Sequence, residues 1–365
     1  MSQGRGVPES MDTFGVVLPK SSQRKLWDMH ARKRMFSTRW ADEEVMNEMG
    51  ITDDVGRLLE RVQLKWLLEK KWPTYRCLTL EFLSTFKLVR DTHNQWPEAI
   101  KFRLVNRRRR LDMSTLLRIF EIPSRGTKSL ERQALEVSWR ALVERPGSGR
   151  RNFEARKAKS SMIRNPVMRY VHRIIASSIF ARAETGTVTI NELFFLYNML
   201  VDEKPDIAYF LSETFEHLAA TDKGEIWIGG LITPIALHFD IDVSLRAPLG
   251  GNMLLNFSVL HQMHFLNREI GVLKFQQNDK DHFPLPNPNL TMVSAIHDLA
   301  NLQMASPTHQ ALCDRNVRRR LEPAREEEER MEEEEEIERE TVPSLRTSPP
   351  RERPKSSRQG YGSIC

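Results

Sequence analysis

Cysteine is scarce in this chain. Cys77, Cys313 and Cys365 are the three in 365 residues, and they stand far apart. No two form a CxxC pair, so the spacing offers neither a zinc ribbon nor a disulfide framework. A sparse, odd set suits a reducing compartment, and the chain is expected to be intracellular, in nucleus or cytoplasm and not secreted. The opening MSQGRGVPES has no apolar h-region, so no secretory signal is expected. No unbroken apolar run is long enough to span a bilayer, which sets a membrane partner aside. Catalytic signatures are missing too. There is no Walker-type glycine loop, no Asp-Thr-Gly or Asp-Ser-Gly loop, no GxSxG elbow and no Tyr-x-Asp-Asp. These absences point to a non-enzyme with no cofactor and no small-molecule substrate. His238, Asp240, Asp242, His261 and His264 can be assembled on paper into a metal set. His261-x-x-His264 puts two imidazoles on neighbouring helical positions, but nothing orients them or supplies a general base, and they read as scattered polar residues.

Charge is plentiful but unevenly placed. The formal net charge is +6, yet eleven Glu face two Arg between Glu326 and Glu340, so the rest of the chain is more basic than the total. A basic body with an acidic arm suggests either affinity for nucleic acid or masking of the basic surface by the arm.

The clearest periodic signal runs from Ile163 to Leu200. Pro166 suits the first turn of a helix. Val167, Val171, Ile174, Ile175 and Ile179 recur at helical spacing, while Arg169, His172, Arg173 and Ser177 fall on the other side as an expected surface stripe. After the turn Glu184–Thr187, Thr189 and Glu192 are placed to form a capping box. Leu193, Phe194, Tyr197, Leu200 and Val201 follow on a second, strongly apolar helix. The two are expected to pack as a helical hairpin at the centre of the core.

Around this pair the pattern is mostly helical. Residues 24–39 are basic and read as a short amphipathic helix or a nuclear address. Val55, Leu58, Leu59, Val62, Trp66 and Leu67 make one stripe after the acids Asp53 and Asp54, ending at Pro73. Thr79 is expected to cap a helix from Leu80 to Val89. Ile100, Phe102 and Leu104 alternate with Lys101 and Arg103, the period of a strand. Arg107 to Arg110 are expected to form the turn, with a short return strand at Leu111–Met113 and a helix behind Ser114. Further helices are expected at Leu130–Val143, from Asp206, at Met253–Leu266 and at Thr291–Met304. Gly229 and Gly230 would allow close approach, and Pro234 would kink or restart its helix. The fold class expected is therefore mainly α with one small β-hairpin. A disordered N-terminus (1–24), a helical domain (25–304), a charged helix or coiled coil (305–342) and a disordered tail (343–365) make up the organisation.

The basic residues are the most functional-looking feature. Arg107, Arg108, Arg109 and Arg110 form one cluster. Arg150, Arg151, Arg156, Lys157, Lys159, Arg164, Arg169 and Arg173 form another, opposed in its run only by Glu154. Such side chains make salt-dependent, sequence-independent contacts with phosphates, so RNA or DNA is the expected ligand class, alongside self-association through helix packing. A solvated face that keeps the protein soluble has the same composition. The other reading is a nuclear interaction module that recruits a partner through the acidic C-terminal helix.

Three stretches together carry a resemblance: WPTYRCLTLEFLSTF (Trp72–Phe86), IKFRLVNRRRRLDMSTLLRIFEI (Ile100–Ile122), and Ile163–Leu200, continued by Gly229–Thr233 and Ala236–Phe239. As an ordered set they resemble the first-open-reading-frame protein of Athila-type plant retrotransposons, related to putative plant transposon domains, over roughly Leu26 to Val243. The resemblance implies a mobile-element origin, a mainly helical domain and no catalytic residues to carry over. Gag-like proteins often bear a CCHC zinc knuckle, and this chain has no cysteine spacing that could make one.

Overall fold

A computed structural model describes residues 16, 18, 20–129, 132–144, 152–251, 253–277 and 281–296. The chain divides into two compact units, Met1–Thr308 and His309–Cys365; every described residue lies in the first. The charged helix, the tail and most of the helix expected at Thr291–Met304 lie outside the described residues.

Thirteen α-helices and six strands occur among the described residues. In chain order they are α1 (Ser21–Ala31), α2 (Glu43–Met49), α3 (Thr52–Arg61), α4 (Trp66–Glu69), α5 (Arg76–Thr85), β1 (Lys87–Arg90), β2 (Pro97–Leu104), β3 (Arg107–Asp112) and α6 (Met113–Ile119). Then follow α7 (Arg132–Val143), α8 (Pro166–Ser177), α9 (Ile190–Val201), α10 (Ile207–Ala220), α11 (Gly229–His238), α12 (Phe257–Gln262), β4 (Leu266–Glu269), β5 (Val272–Gln277), β6 (Asp281–Leu285) and α13 (Pro288–Thr291). The strands form two antiparallel three-stranded sheets, β1-β2-β3 and β4-β5-β6. This corrects the mainly helical expectation: the fold is mixed α and β.

The first extra strand was hidden in a helical pattern. Ser84 and Thr85 donate their hydroxyls back to the carbonyls of Leu80 and Glu81, each at 2.6 Å, which competes with the helix ladder. Phe86 then takes an extended backbone, and Lys87–Arg90 leaves as β1 instead of continuing to Val89. Thr79 lies inside α5, not at its cap. The second sheet falls where a helix was expected to reach Leu266. Helix α12 stops at Gln262, His264 turns left-handed at φ 51°, and Leu273, Phe275 and Gln277 then alternate inward along β5. The stripe read through Leu67 also breaks, because Gln63 is left-handed at φ 62° and separates α3 from α4.

The central pair forms as its sequence requires. Pro166 is in the first turn of α8, behind an Asn165 cap. Thr189 and Glu192 make the reciprocal capping box of α9. Every residue of α8 is buried, as is α9 from Glu192 to Val201, and α3 packs across both. Close approach sets α11: a Cβ on Gly229 would stand 2.3 Å from Thr74 Cγ2, and one on Gly230 2.8 Å from the Trp40 ring. Pro234 sits inside α11 without ending it. The inner face of the first sheet rests on α5, α6 and α10, where Phe82 meets Phe102 at 4.7 Å and Phe215 at 5.1 Å.

Candidate nucleic-acid interface

The arginines Arg107–Arg110 are not the turn that the sequence suggested. The turn is Val105–Asn106, two residues with φ 51° and 61°, the tight hairpin geometry that matches strand twist. Leu104 pairs with Arg107, so all four arginines lie on β3. Buried Glu81 on α5 holds this tip, accepting the N–H groups of Val105 at 2.6 Å and Asn106 at 2.8 Å. Burial raises the Glu81 pKa, and those two hydrogen bonds oppose the rise. The turn was missed because Val-Asn carries no glycine signal, whereas a run of four arginines looks like loop.

Strand alternation splits the four. Arg107 and Arg109 stand opposite Leu104 and Phe102, along the edge of the apolar face. There the Arg109 guanidinium lies 4.5 Å from the centre of the Phe239 ring. Arg108 and Arg110 share the outer face with their partners Arg103 and Lys101, and Lys101 in turn faces Lys87 on β1. The outer face therefore carries a row Lys87–Lys101–Arg110 across all three strands, with Arg103–Arg108 beside it. Arg110 is partly neutralised by Glu98 at 3.1 Å. Arg107 and Arg108 are exposed and make no ion pair among the described residues. Like charges directly opposite each other tend to destabilise a sheet, and Arg103 is tied to the hairpin tip, donating to the Asn106 carbonyl at 2.6 Å. Lys87, Lys101 and Arg103 were not among the sequence candidates, although the alternation of Lys101 and Arg103 with Ile100, Phe102 and Leu104 was the signal that could have found them.

The second basic cluster does not converge. Arg150 and Arg151 lie outside the described residues. Arg156, Lys157 and Lys159 are exposed, with Lys157 paired to Glu154 at 2.7 Å. Arg164 is half-buried and donates to the Glu144 carbonyl at 3.1 Å. Arg169 and Arg173 are buried, which corrects the expected surface stripe. Helix α8 has core on every side, so its polar face meets protein instead of water.

Those buried polar groups form two fixings. Arg169 donates to the carbonyls of His264, at 3.0 Å, and Gln276, and lies about equally far from the rings of Phe265 and Phe275, at 5.1 and 5.3 Å. It ties α8 to the second sheet, and burial, then the nearby Arg173, lower its pKa to about 9. Arg173 donates to the Thr185 hydroxyl; burial is again the main cause of a pKa lowered to about 10. His172, read from sequence as a surface residue, is fully buried and lies 3.1 Å from Glu192, its Nε2 on Oε2. Glu192 also accepts from Arg182 at 2.6 and 2.8 Å and from the Thr189 N–H at 2.8 Å. Burial works to raise the Glu192 pKa, but His172 and Arg182 outweigh it and hold it at about 2. Burial lowers the His172 pKa against the pull of Glu192. The His172 imidazole and the Arg182 guanidinium thus share one buried carboxylate. The group is a closed bracket between α8 and the start of α9, with no open face for a substrate.

Among the described residues, no three His, Cys, Asp or Glu side chains come together to hold a metal ion, and no helix is long and apolar enough to cross a membrane. One cleft, about 910 Å³, is broad and lined by mixed charge. Its Arg57 pairs with Asp54 and its Arg125 with Asp206.

What these elements define is a mixed α/β protein built on a buried helix pair, with cations gathered on one sheet face. Residues 27–202 match the model of the ATHILA ORF-1 family, just under half of the chain. Over that segment the chain is similar to this family, and the match supports an Athila-type retrotransposon first-open-reading-frame protein. The match takes in α2 to α9 and the whole first sheet; the resemblance read from sequence continued to about Val243. No curated protein and no solved structure matches the chain.

Proposed function

We propose that this retrotransposon-derived chain is a non-enzymatic, gag-like structural protein that holds RNA or DNA through phosphate contacts. The contacts are made by the outer face of the first sheet. Lys87, Lys101, Arg103, Arg108 and Arg110 are its phosphate-facing groups, with Arg107 at the edge. The observation that carries the reading is the direct opposition of like charges across three paired strands. Such pairs cost stability on their own and become favourable when an anion lies over them. Arg156 and Lys159 are exposed as well. Arg169 and Arg173 take no part, being enclosed.

The test is a salt titration of RNA binding by the full chain and by a K101Q/R108Q/R110Q variant. Each phosphate contact removed should lower the slope of log affinity against log salt by about 0.7 for single strands. The variant slope is therefore expected to fall by about 2. A wild-type affinity that stays flat between low and high salt would rule the phosphate role out.

A further inference from the structure

We propose that this chain forms a two-fold dimer in which the Ile270–Gly271 hairpin tip of each copy seats in the cleft beside Pro286 of the other. The inference stands apart from the phosphate reading and uses none of its residues.

Ile270 is fully exposed, at 101%. It also holds a backbone conformation that isoleucine avoids. Ile270 has φ 49° and Gly271 has φ 76°, the two positive values of the tight turn that joins β4 to β5. Asn-Gly is the usual pair in such a turn, because a β-branched side chain crowds the backbone in the left-handed region. The hairpin at Val105–Asn106 also bends through a β-branched residue, but buried Glu81 accepts both of its N–H groups. Among the described residues Ile270 has no such hold and no apolar cover. Neither folding nor solubility accounts for an isoleucine here, whereas a surface that buries it does. The tip stands on a fixed base: Arg268 pairs with Glu48 on α2, and Lys274 pairs with Glu269 across the hairpin.

The receiving cleft is at the same end of the sheet. Leu273 pairs with Leu285, so the register carries Val272 to the level of Pro286, with Ile270 and Gly271 projecting past it. Pro286 lines a cleft of about 530 Å³ together with Pro288, Met292, Val293, Asp54 and Arg57. Gly50, the C-cap of α2, approaches Pro286 so closely that a Cβ on it would stand 2.8 Å from Pro286 Cβ. Tip and cleft are therefore tied to the same short stretch, residues 48–50. Val272, Pro286, Pro288 and Met292 are exposed, so both the tip and the cleft present apolar groups to water.

A projecting tip beside a recess is self-complementary. A two-fold axis lets each copy give its tip and receive the other's, and the contact closes at two chains. Charge fits the same occupant. Exposed Glu269 flanks the tip, and Arg57, with its side chain 70% exposed, stands in the cleft wall. Each has a partner in its own chain, Lys274 and Asp54, so the meeting joins two ion pairs and buries no lone charge. Pro284 denies the edge strand β6 a ladder N–H, so the copies meet through the tip and not by joining sheets.

The experiment is sedimentation velocity of the full chain over a wide concentration range. The protein is treated with nuclease and kept in high salt, so that RNA cannot bridge two copies. Wild type is expected to show a monomer–dimer equilibrium. Ile270→Asn supplies the residue that the turn prefers, so its thermal midpoint should equal or exceed that of wild type. Its dimer dissociation constant should nevertheless rise about 100-fold or more, because two isoleucine side chains per dimer lose their cover. Met292→Ser alters the cleft at an exposed position and should weaken the dimer about 10-fold without lowering the midpoint. A wild type that stays monomeric throughout overturns the proposal, as does an Ile270→Asn variant that dimerises like wild type. Wild-type growth into open-ended oligomers overturns the closed two-fold arrangement. Loss of the dimer in Ile270→Asn with Met292→Ser unaffected overturns the cleft as the seat of the tip.

Discussion

Two arginine-rich regions of this protein have the same composition and opposite fates. On β3, Arg108 and Arg110 are exposed and stand opposite Arg103 and Lys101, and Arg110 also pairs with Glu98. On α8, Arg169 and Arg173 are enclosed, and their terminal nitrogens donate to oxygens that carry no formal charge, two backbone carbonyls and a threonine hydroxyl, while the buried Nε of each has no hydrogen-bond partner. The difference teaches that a basic residue reports on a ligand only when the element that carries it has a free side. A strand covered on one face keeps one. A helix surrounded by core does not, and its polar residues become internal fixings instead.

The largest expected effect is in the enclosed region. Glu192→Ala removes the acceptor of His172, Arg182 and the α9 cap together and should destabilise the fold by about 3–5 kcal/mol, as breaking a buried charged group does. Urea denaturation measures it, and a loss below about 1 kcal/mol would break the comparison. Arg169→Met should cost about 2–4 kcal/mol, since two buried carbonyls lose their donor at about 1–3 kcal/mol each and the aliphatic replacement keeps some packing. The same denaturation experiment on Arg108→Met should show no loss of stability, because only a like charge opposite Arg103 is removed.

Acid should act on the interior and spare the outer face. Burial holds His30 at about 4, where a second, smaller cause is the nearby Lys33, and it lowers His172 as well. The unfolded chain takes up these protons near pH 6.5, before the folded one does, so their contribution is complete above about pH 7 and falls as pH drops from about 6.5 towards 4. Glu192, held at about 2, extends the loss below about pH 4.5. Thermal melts at pH 7.5 and pH 5 should show a lower midpoint at pH 5, whereas RNA affinity, carried by Arg and Lys, should change little in that range. An unchanged midpoint would contradict the buried-histidine reading.

The smallest effect separates the two regions most cleanly. Arg108→Thr removes the like charge opposite Arg103 and should stabilise the sheet by about 0.2–1 kcal/mol while weakening RNA binding. Arg173→Gln should do the reverse, costing stability and leaving the salt slope of RNA binding unchanged. Equal salt slopes for the two variants would show that exposure does not decide which arginines bind.

Local patterns were legible where one residue or a short motif is sufficient. Pro166, the Thr189–Glu192 box, the strand at Ile100–Leu104 and the close approach at Gly229–Gly230 all read directly, because capping, alternation and the absence of a Cβ act within a few residues. The first half of the candidate face was visible as four arginines, but its other half was not, since Lys87, Lys101 and Arg103 join it only through strand pairing. The exposure of Ile270 had no signal in composition at all.

By itself, then, the sequence determined the helix pair, its caps and the apolar content of the core, since these follow from residue type and spacing alone. Tertiary structure decided where helix gave way to strand after Thr85 and after Gln262. It also decided which charges meet water. Those outcomes depend on residues brought together from far along the chain: Glu81 holding the tip of a hairpin, Gln276 and His264 receiving Arg169, and Lys87 drawn level with Arg110. The energy of a charge is set by what surrounds it, and no short window of sequence contains its surroundings.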